Sequence, residues 1–353
     1  MAEPELIPSL PFDIALNCLL RVPLHYHSSL AQVCHSWRSL VSSPSFLHSR
    51  HSLGYTDHYA CLIQASHAPS SSSGKTPFYG ISIYDSKRLS WHRLPPIADF
   101  PHGLPLFCQC ATAGSKLVLL GGWNPSSCAV LRSVYVYDFS IGVWKKGSSM
   151  PSSRSFFACS AIDGSLFVAG GHDDNKNALR TAEMYNVEKD EWEAMPDMNE
   201  ERDECKAVVM GGKLVVVSGF STESQGQFGK TSEIFDEERK AWNVVENMWP
   251  AGIAPSSLAV MKGQLYAYFE GKLMRYREKD GQWEPIIELP RGVMASACVT
   301  PLKDFLFITG YNVGTQPFEA IKCNVGTAPY GWTKVETATS FLGIAQGACP
   351  LEL

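Results

Sequence analysis

The chain has 353 residues, 45% of them hydrophobic and 11% aromatic, and a formal net charge of −5. This balance suits a large buried core and gives no bulk attraction to nucleic acid or to an anionic membrane. The first residues, MAEPELIPSLP, put acids and prolines where a secretory signal needs a basic segment and an apolar run. No apolar run reaches the ~18 residues of a membrane span. The 11 cysteines are odd in number and include no C-x-x-C pair, so they read as free, largely buried thiols of a reducing compartment. A cytoplasmic and/or nuclear protein is expected, with no bound cofactor.

Residues 1–50 are predicted to be helical. Leu10–Pro11 precedes an apolar face of Ile14, Cys18, Leu19 and Leu20, with Pro23 shortly after to stop the helix. Ser28 or Ser29 is placed to cap a second helix, whose apolar positions Leu30, Val33, Cys34, Trp37, Leu40 and Val41 follow a 3.6-residue period. Pro44 is predicted to end it, and Phe46–Leu47 to begin a short third segment. So small a unit cannot enclose its own apolar surface, so part of that surface should stay exposed for a partner.

Leu10–Pro11, Ile14, Leu19, Val33–Cys34, Trp37–Arg38, Leu40, Pro44 and Phe46 resemble the F-box: L-P, an apolar helix, then V-C-x-x-W-R-x-L. The resemblance implies docking onto Skp1 through Leu10, Pro11, Ile14, Leu19, Val33, Cys34, Trp37 and Leu40, and through Skp1 onto a cullin-based ubiquitin ligase. The alternative is a helical cap over one end of the domain that follows.

After a polar connection, Tyr59–Ala65 reads as a strand. Residues 66–76, SHAPSSSSGKT, read as a flexible low-complexity loop whose serines are possible phosphorylation sites. Beyond it the chain repeats. Trp91, Trp144, Trp192, Trp242, Trp283 and Trp332 are spaced by 53, 48, 50, 41 and 49 residues. Tyr84, Tyr137, Tyr185, Phe235 and Tyr276 each lie seven residues before a tryptophan. Hairpin glycines Gly114, Gly164, Gly212 and Gly263 keep the same step, and a double glycine is intact at Gly121–Gly122 and Gly170–Gly171.

The clearest copy is Ala161–Trp192. Asp163–Gly164 there is a two-residue hairpin signal, because a primed turn needs φ > 0. The order hairpin, Gly-Gly, Tyr, Trp at about 50 residues per copy resembles the kelch motif. That resemblance covers about residues 59–349 and implies a mainly β fold, a six-bladed β-propeller of four-stranded blades. Physically, a lone four-stranded sheet leaves both faces open, and stacking such sheets around an axis covers them. The first copy lacks an inner strand, and Gly343–Cys349 resembles the inner strands of the others. The C-terminal segment is therefore expected to close the ring. Residues 1–50 form the helical domain and 51–353 the propeller.

Recognition is expected on the loops. Those after the glycine pairs contribute Asn124, His172, Asp173, Asp174, Gln225 and Tyr311. Those between blades contribute Arg154, Arg202, Asp203, Glu204 and Arg291. All are predicted to ring the channel mouth, where such side chains suit protein recognition. Enzymatic readings find little support. Nine of the ten histidines lie at or before His102, so a His-based copper site like that of some kelch oxidases is disfavoured. No histidine has an Asp four residues before it, as the iron-binding pattern of the plant specifier proteins requires. No spacing supports a Ser-His-Asp set or a phosphate loop.

An F-box followed by kelch copies resembles plant F-box/kelch-repeat proteins. Gly103–Cys108, Val168–His172, Arg202–Ala207 and Gln225–Thr231 resemble the Kiss Me Deadly group and its relatives. The resemblance implies a substrate-recognition subunit of a Skp1–cullin–F-box (SCF) ubiquitin ligase. It also implies targets among phenylpropanoid and flavonoid enzymes, such as phenylalanine ammonia-lyase and chalcone synthase, or type-B response regulators of cytokinin signalling. The rivals are a kelch interaction scaffold outside any ligase and a metal-dependent kelch enzyme.

Overall fold

A computed structural model of the chain describes residues 6–66, 78–250, 252–290, 295–312 and 316–353. The serine loop beyond Ser66, Arg291 and the middle of the loop after Tyr311 lie outside the described residues.

Four-stranded antiparallel sheets, six in all, follow one another around a ring. Blade one holds β1 (His58–Ser66), β2 (Phe78–Asp85) and β3 (Ser90–Arg93). Blade two is β4 (Gln109–Ala113), β5 (Lys116–Leu120), β6 (Val134–Asp138) and β7 (Val143–Gly147). Blade three is β8 (Ala158–Ile162), β9 (Ser165–Ala169), β10 (Ala182–Asn186) and β11 (Glu191–Met195). Blade four is β12 (Lys206–Met210), β13 (Lys213–Val217), β14 (Ser232–Asp236) and β15 (Ala241–Val245). Blade five is β16 (Leu258–Met261), β17 (Gln264–Phe269), β18 (Lys272–Arg277) and β19 (Gln282–Glu288). Blade six is β20 (Ala295–Leu302), β21 (Phe305–Asn312), β22 (Gln316–Asn324) and β23 (Gly331–Val335).

The last strand, β24 (Ala345–Glu352), pairs with β1 and supplies the inner strand that blade one lacks. Its register sets Leu351 opposite Tyr59 and Cys349 opposite Cys61. The inner strands β24, β4, β8, β12, β16 and β20 touch in turn, so the ring is closed. Closure covers the open faces that the end blades of a row would otherwise present, while the outer strand of each blade keeps a short edge.

Blade three shows why these residues make this shape. Asp163 and Gly164 both take positive φ, 47° and 77°, as the tight turn between β8 and β9 requires. Leu166, Phe167, Val168 and Ala169 are all buried, as expected for a strand covered on both faces by neighbouring blades. Gly170 and Gly171 lie against the carbonyls of Arg202 and Ser155, where a Cβ would collide. Tyr185 pairs with Trp192 across β10 and β11, their rings stacked 4.8 Å apart. The same pairing joins Tyr137 to Trp144 and Phe235 to Trp242. In blade six Cys323 takes the aromatic's place opposite Trp332.

The N-terminal helices are α1 (Phe12–Leu20), α2 (His27–Val33), α3 (His35–Val41) and α4 (Pro44–Ser52). The single second helix expected from its periodicity is two helices. Cys34 is extended, with φ −159° and ψ 169°, and its Sγ accepts from the Trp37 amide to cap α3. The predicted serine cap is also absent, because a 3-10 turn at Leu24–Tyr26 runs directly into α2. Pro44 opens α4 rather than ending the helix before it, and Ser43 caps α4 by accepting from the Phe46 amide.

Arg50 joins this module to the ring. It is fully buried, donates to the carbonyls of Leu20, Val22 and Tyr55, and pairs with Asp57 at 3.2 Å. The Asp57 backbone in turn exchanges hydrogen bonds with Leu353, beside the closing strand. Leu24 and Leu47 pack with Tyr137 and Phe139, and Ile141 packs into the helical core.

Antiparallel blades place their connections alternately at two ends. The β6–β7 turn, which Phe139 and Ile141 occupy, lies at the end of the β4–β5 type of hairpin. The glycine-pair loops and the interblade loops lie at the other end. The helical module therefore sits on the turn face and leaves the loop face open.

Candidate functional site

The helical module carries the first candidate surface. Val33, Ile14 and Leu10 are 62%, 48% and 38% exposed, and Pro11 and Cys34 are exposed beside them in sequence. The break at Cys34 leaves Val33 at a helix end with no helical turn following in register. Trp37 and Leu40 are half-buried against the helical core. The Trp37 indole donates to the Leu6 carbonyl at 2.6 Å, which ties the segment leading to Leu10–Pro11 onto α3. Leu19 does not belong to this surface. It is 3% exposed among Ala15, Ala31, Val41 and Phe46, so it supports the face from beneath.

The second surface is the loop face of blades two to four. Leu106 bridges Trp123, Ser155 bridges His172 and Asp203 bridges Phe220, so each inner hairpin is extended towards the mouth. Asn124 holds its own loop by accepting from the amides of Ser126 and Ser127. Asp173 does the same for Asn175 and Asn177. Asp174 crosses to the neighbouring blade, accepting from the Val130 amide and the Ser153 hydroxyl. His172 is buried, and its Nδ1 lies 2.9 Å from the Asp203 carboxylate of the next blade. Gln225 is exposed and Tyr311 half-buried. Beside the Gln225 loop, Phe220, Ser224 and Gln227 help line a hollow of 410 Å³.

Two residues expected at the mouth are elsewhere. Arg154 and Arg202 are 0% and 1% exposed and cannot touch a substrate. Arg154 donates to the carbonyls of Gly170 and Thr181 and to the Thr181 hydroxyl, and pairs with Glu183 at 2.9 Å. Arg202 repeats this with Ser218, Thr231 and Glu233, its pair with Glu233 at 3.0 Å. Each arginine satisfies the carbonyls freed where the glycine pair leaves the sheet, so it locks one blade to the next. A second phase-locked repeat announces this set: Arg154 and Arg202 are 48 residues apart, and Thr181–Glu183 and Thr231–Glu233 are 50 apart.

Sequence reasoning also missed Phe107 and Phe156 at the mouth. Phe107 and Phe156 stack with centroids 4.2 Å apart, and Trp123 sets an edge against each, at 5.3 and 5.7 Å. Phe107, Phe156 and Glu204 recur at intervals of 49 and 48, a signal weakened because the third is not aromatic. Desolvation, and then the charge of Asp203, push the Glu204 carboxyl above its ordinary pKa.

The central channel offers little chemistry. Its 460 Å³ cavity is lined mainly by small or apolar side chains such as Cys110, Cys159, Ala207 and Leu258, with Glu352 the one charged group among them. Burial pushes the Cys298 thiol, in an adjoining hollow of 90 Å³, up to about 12 and raises that of Cys159 as well. All 11 cysteines are free. Among the described residues, no group of three or more His, Cys, Asp and Glu is arranged to hold a metal ion.

These two surfaces correspond to two matched domains: an F-box domain over residues 7–49, and the KLHDC2/KLHL20/DRC7 Kelch-repeats domain over residues 70–271. The chain belongs to the F-box/kelch-repeat proteins of plants. It is 36% identical to the Arabidopsis thaliana F-box/kelch-repeat protein At1g80440, over 99% of this chain and 100% of that one. It is 42% identical to At2g44130 of the same plant, over 69% of this chain and 66% of the relative, and 39% identical to SKIP20 over 70% and 68%. The solved structure of YjhT shares the fold, with a TM-score of 0.60 at 15% identity over 72% of this chain and 91% of that one.

Proposed function

We propose that this protein is the substrate-recognition subunit of an SCF ubiquitin ligase and is not itself an enzyme. The helical module binds a Skp1-like protein, and through it the cullin, by the exposed face of Leu10, Pro11, Ile14, Val33 and Cys34. The propeller holds the protein to be ubiquitinated on its loop face. The observation that carries this reading is the placement of the helices on the turn face, which leaves the loop face free. Catalysis is then by proximity: holding the target beside a charged ubiquitin-conjugating enzyme raises its effective concentration, with no catalytic residue from this chain.

The four stretches resembling the Kiss Me Deadly group favour phenylpropanoid and flavonoid enzymes, such as phenylalanine ammonia-lyase or chalcone synthase, as targets. Type-B response regulators are the other class that the resemblance offers. The site of action is the cytoplasm and/or nucleus. The first test is co-purification with a Skp1-like protein, comparing wild type with the Ile14→Asp, Val33→Asp double variant. Equal recovery removes the ligase reading. Affinity capture under proteasome inhibition, probed for both target classes, then tests the finer assignment.

A further inference from the structure

Phe107, Phe156 and Glu204 hold one position in three successive blades, just before β4, β8 and β12. All three take left-handed backbone, with φ of 57°, 56° and 53°. Side chains other than glycine pay roughly 1–2 kcal/mol for that conformation. Strain repeated at the rim of a candidate binding face is the pattern of a functional constraint. The bridged residue beside each, Leu106, Ser155 or Asp203, holds the turn in place.

The rim combines an aromatic shelf with polar groups that lack partners. Phe107 and Phe156 stack, Trp123 closes their edge, and His172 stacks on Phe156 at 5.5 Å. The Lys176 ammonium lies 5.5 Å from the centre of the Trp123 ring, so one ring of the cluster already carries a cation. Most neighbouring carboxylates are committed: Asp173 and Asp174 to loop amides, Asp203 to His172, Glu200 to Arg202 and Glu201 to Thr222. Glu204, within electrostatic reach of Lys206, has no side-chain hydrogen bond or ion pair among the described residues. His172 Nε2 and Trp123 Nε1 are likewise buried without partners.

Resting on the receptor reading above, we propose that this rim takes an arginine side chain from an exposed segment of the protein target. The guanidinium packs against the ring cluster of Phe107, Phe156 and Trp123 and pairs with Glu204. A planar guanidinium satisfies a flat aromatic face and a carboxylate together, which an ammonium on a flexible stem does less well. Acidic segments are repelled by Glu204 and the neighbouring aspartates.

The test uses the immobilised full chain, with its Skp1-like partner where that co-purifies. The probes are pools of short peptides randomised except at a central Arg, Lys, citrulline or Glu. The arginine pool should be retained about tenfold over the citrulline pool, the loss expected for one charged hydrogen-bonded pair. Glu204→Gln should abolish that difference, and Glu204→Arg should move the preference to the Glu pool. Equal retention of the arginine and citrulline pools by the wild type overturns the proposal. So does a Glu204→Gln variant that keeps the preference. Failure of Skp1 co-purification overturns the receptor reading instead, and it leaves the peptide result standing.

Discussion

The helical module and the loop face of the propeller invert the usual rule of burial in opposite ways. On the module, Val33 and Ile14 are exposed although apolar. Beneath the loop face, Arg154 and Arg202 are fully buried although charged. Apolar side chains left in water together on one small module mark a surface for another molecule, whereas single ones scattered over the ring are ordinary. A guanidinium removed from water persists only where carboxylates and carbonyls meet its donors, and here those groups come from the strands and loops of adjacent blades. The first departure points to binding and the second to architecture, so residue type alone misassigns both.

The largest expected effect breaks the buried side of this contrast. Arg202→Ala leaves Glu233 uncompensated in a dry site and should cost about 3–5 kcal/mol, read from the urea midpoint. A loss below ~1 kcal/mol would place the pair in the class of surface ion pairs and undo the clamp. Arg50→Met tests the joint between the regions. It strips the guanidinium donors from the carbonyls of Leu20, Val22 and Tyr55, of which Val22 keeps the His27 ring. Each acceptor left unpaired costs about 1–3 kcal/mol. The helices should then melt before the propeller, as two calorimetric transitions; a single unshifted transition would contradict the joint.

A smaller effect depends on pH. His27 is buried beneath the helices, and desolvation lowers its pKa from 6.5 to about 4, with Arg50 lowering it further and a hydrogen bond to the Val22 carbonyl opposing. Between these values the unfolded chain takes up a proton that the folded chain refuses. The stability of the module should therefore be complete above pH 6.5 and fall by about 1.4 kcal/mol per pH unit down to about 4. His27→Gln should flatten that slope, as followed by helical ellipticity. The smallest effect on stability sharpens the exposed side: Ile14→Asp with Val33→Asp should change folding by less than ~0.5 kcal/mol. The same pair should abolish recovery of the Skp1-like protein.

Much of this was legible in the residues. The tryptophan, aromatic and glycine markers carry the six blades, and the resemblance of Gly343–Cys349 to other inner strands carries ring closure. Local patterns hold because each copy must satisfy the same turn and the same contact with its neighbour. The helical break at Cys34 escaped, because the 3.6-residue period continues in the letters across a residue whose backbone is extended. Phe107 and Phe156 escaped, and Glu204 was named only as a loop residue, because a shared backbone position leaves little trace when the side chains differ.

By itself the sequence determined the F-box and kelch elements, their order and their number, because periodicity and turn chemistry act over a few residues. Only the tertiary structure decided which side chains face water. Leu19 and the two arginines are buried by groups that lie far from them in sequence or on the next blade. It also decided that the helices occupy the turn face, since that depends on Arg50, Asp57 and the closing strand meeting from opposite ends of the chain.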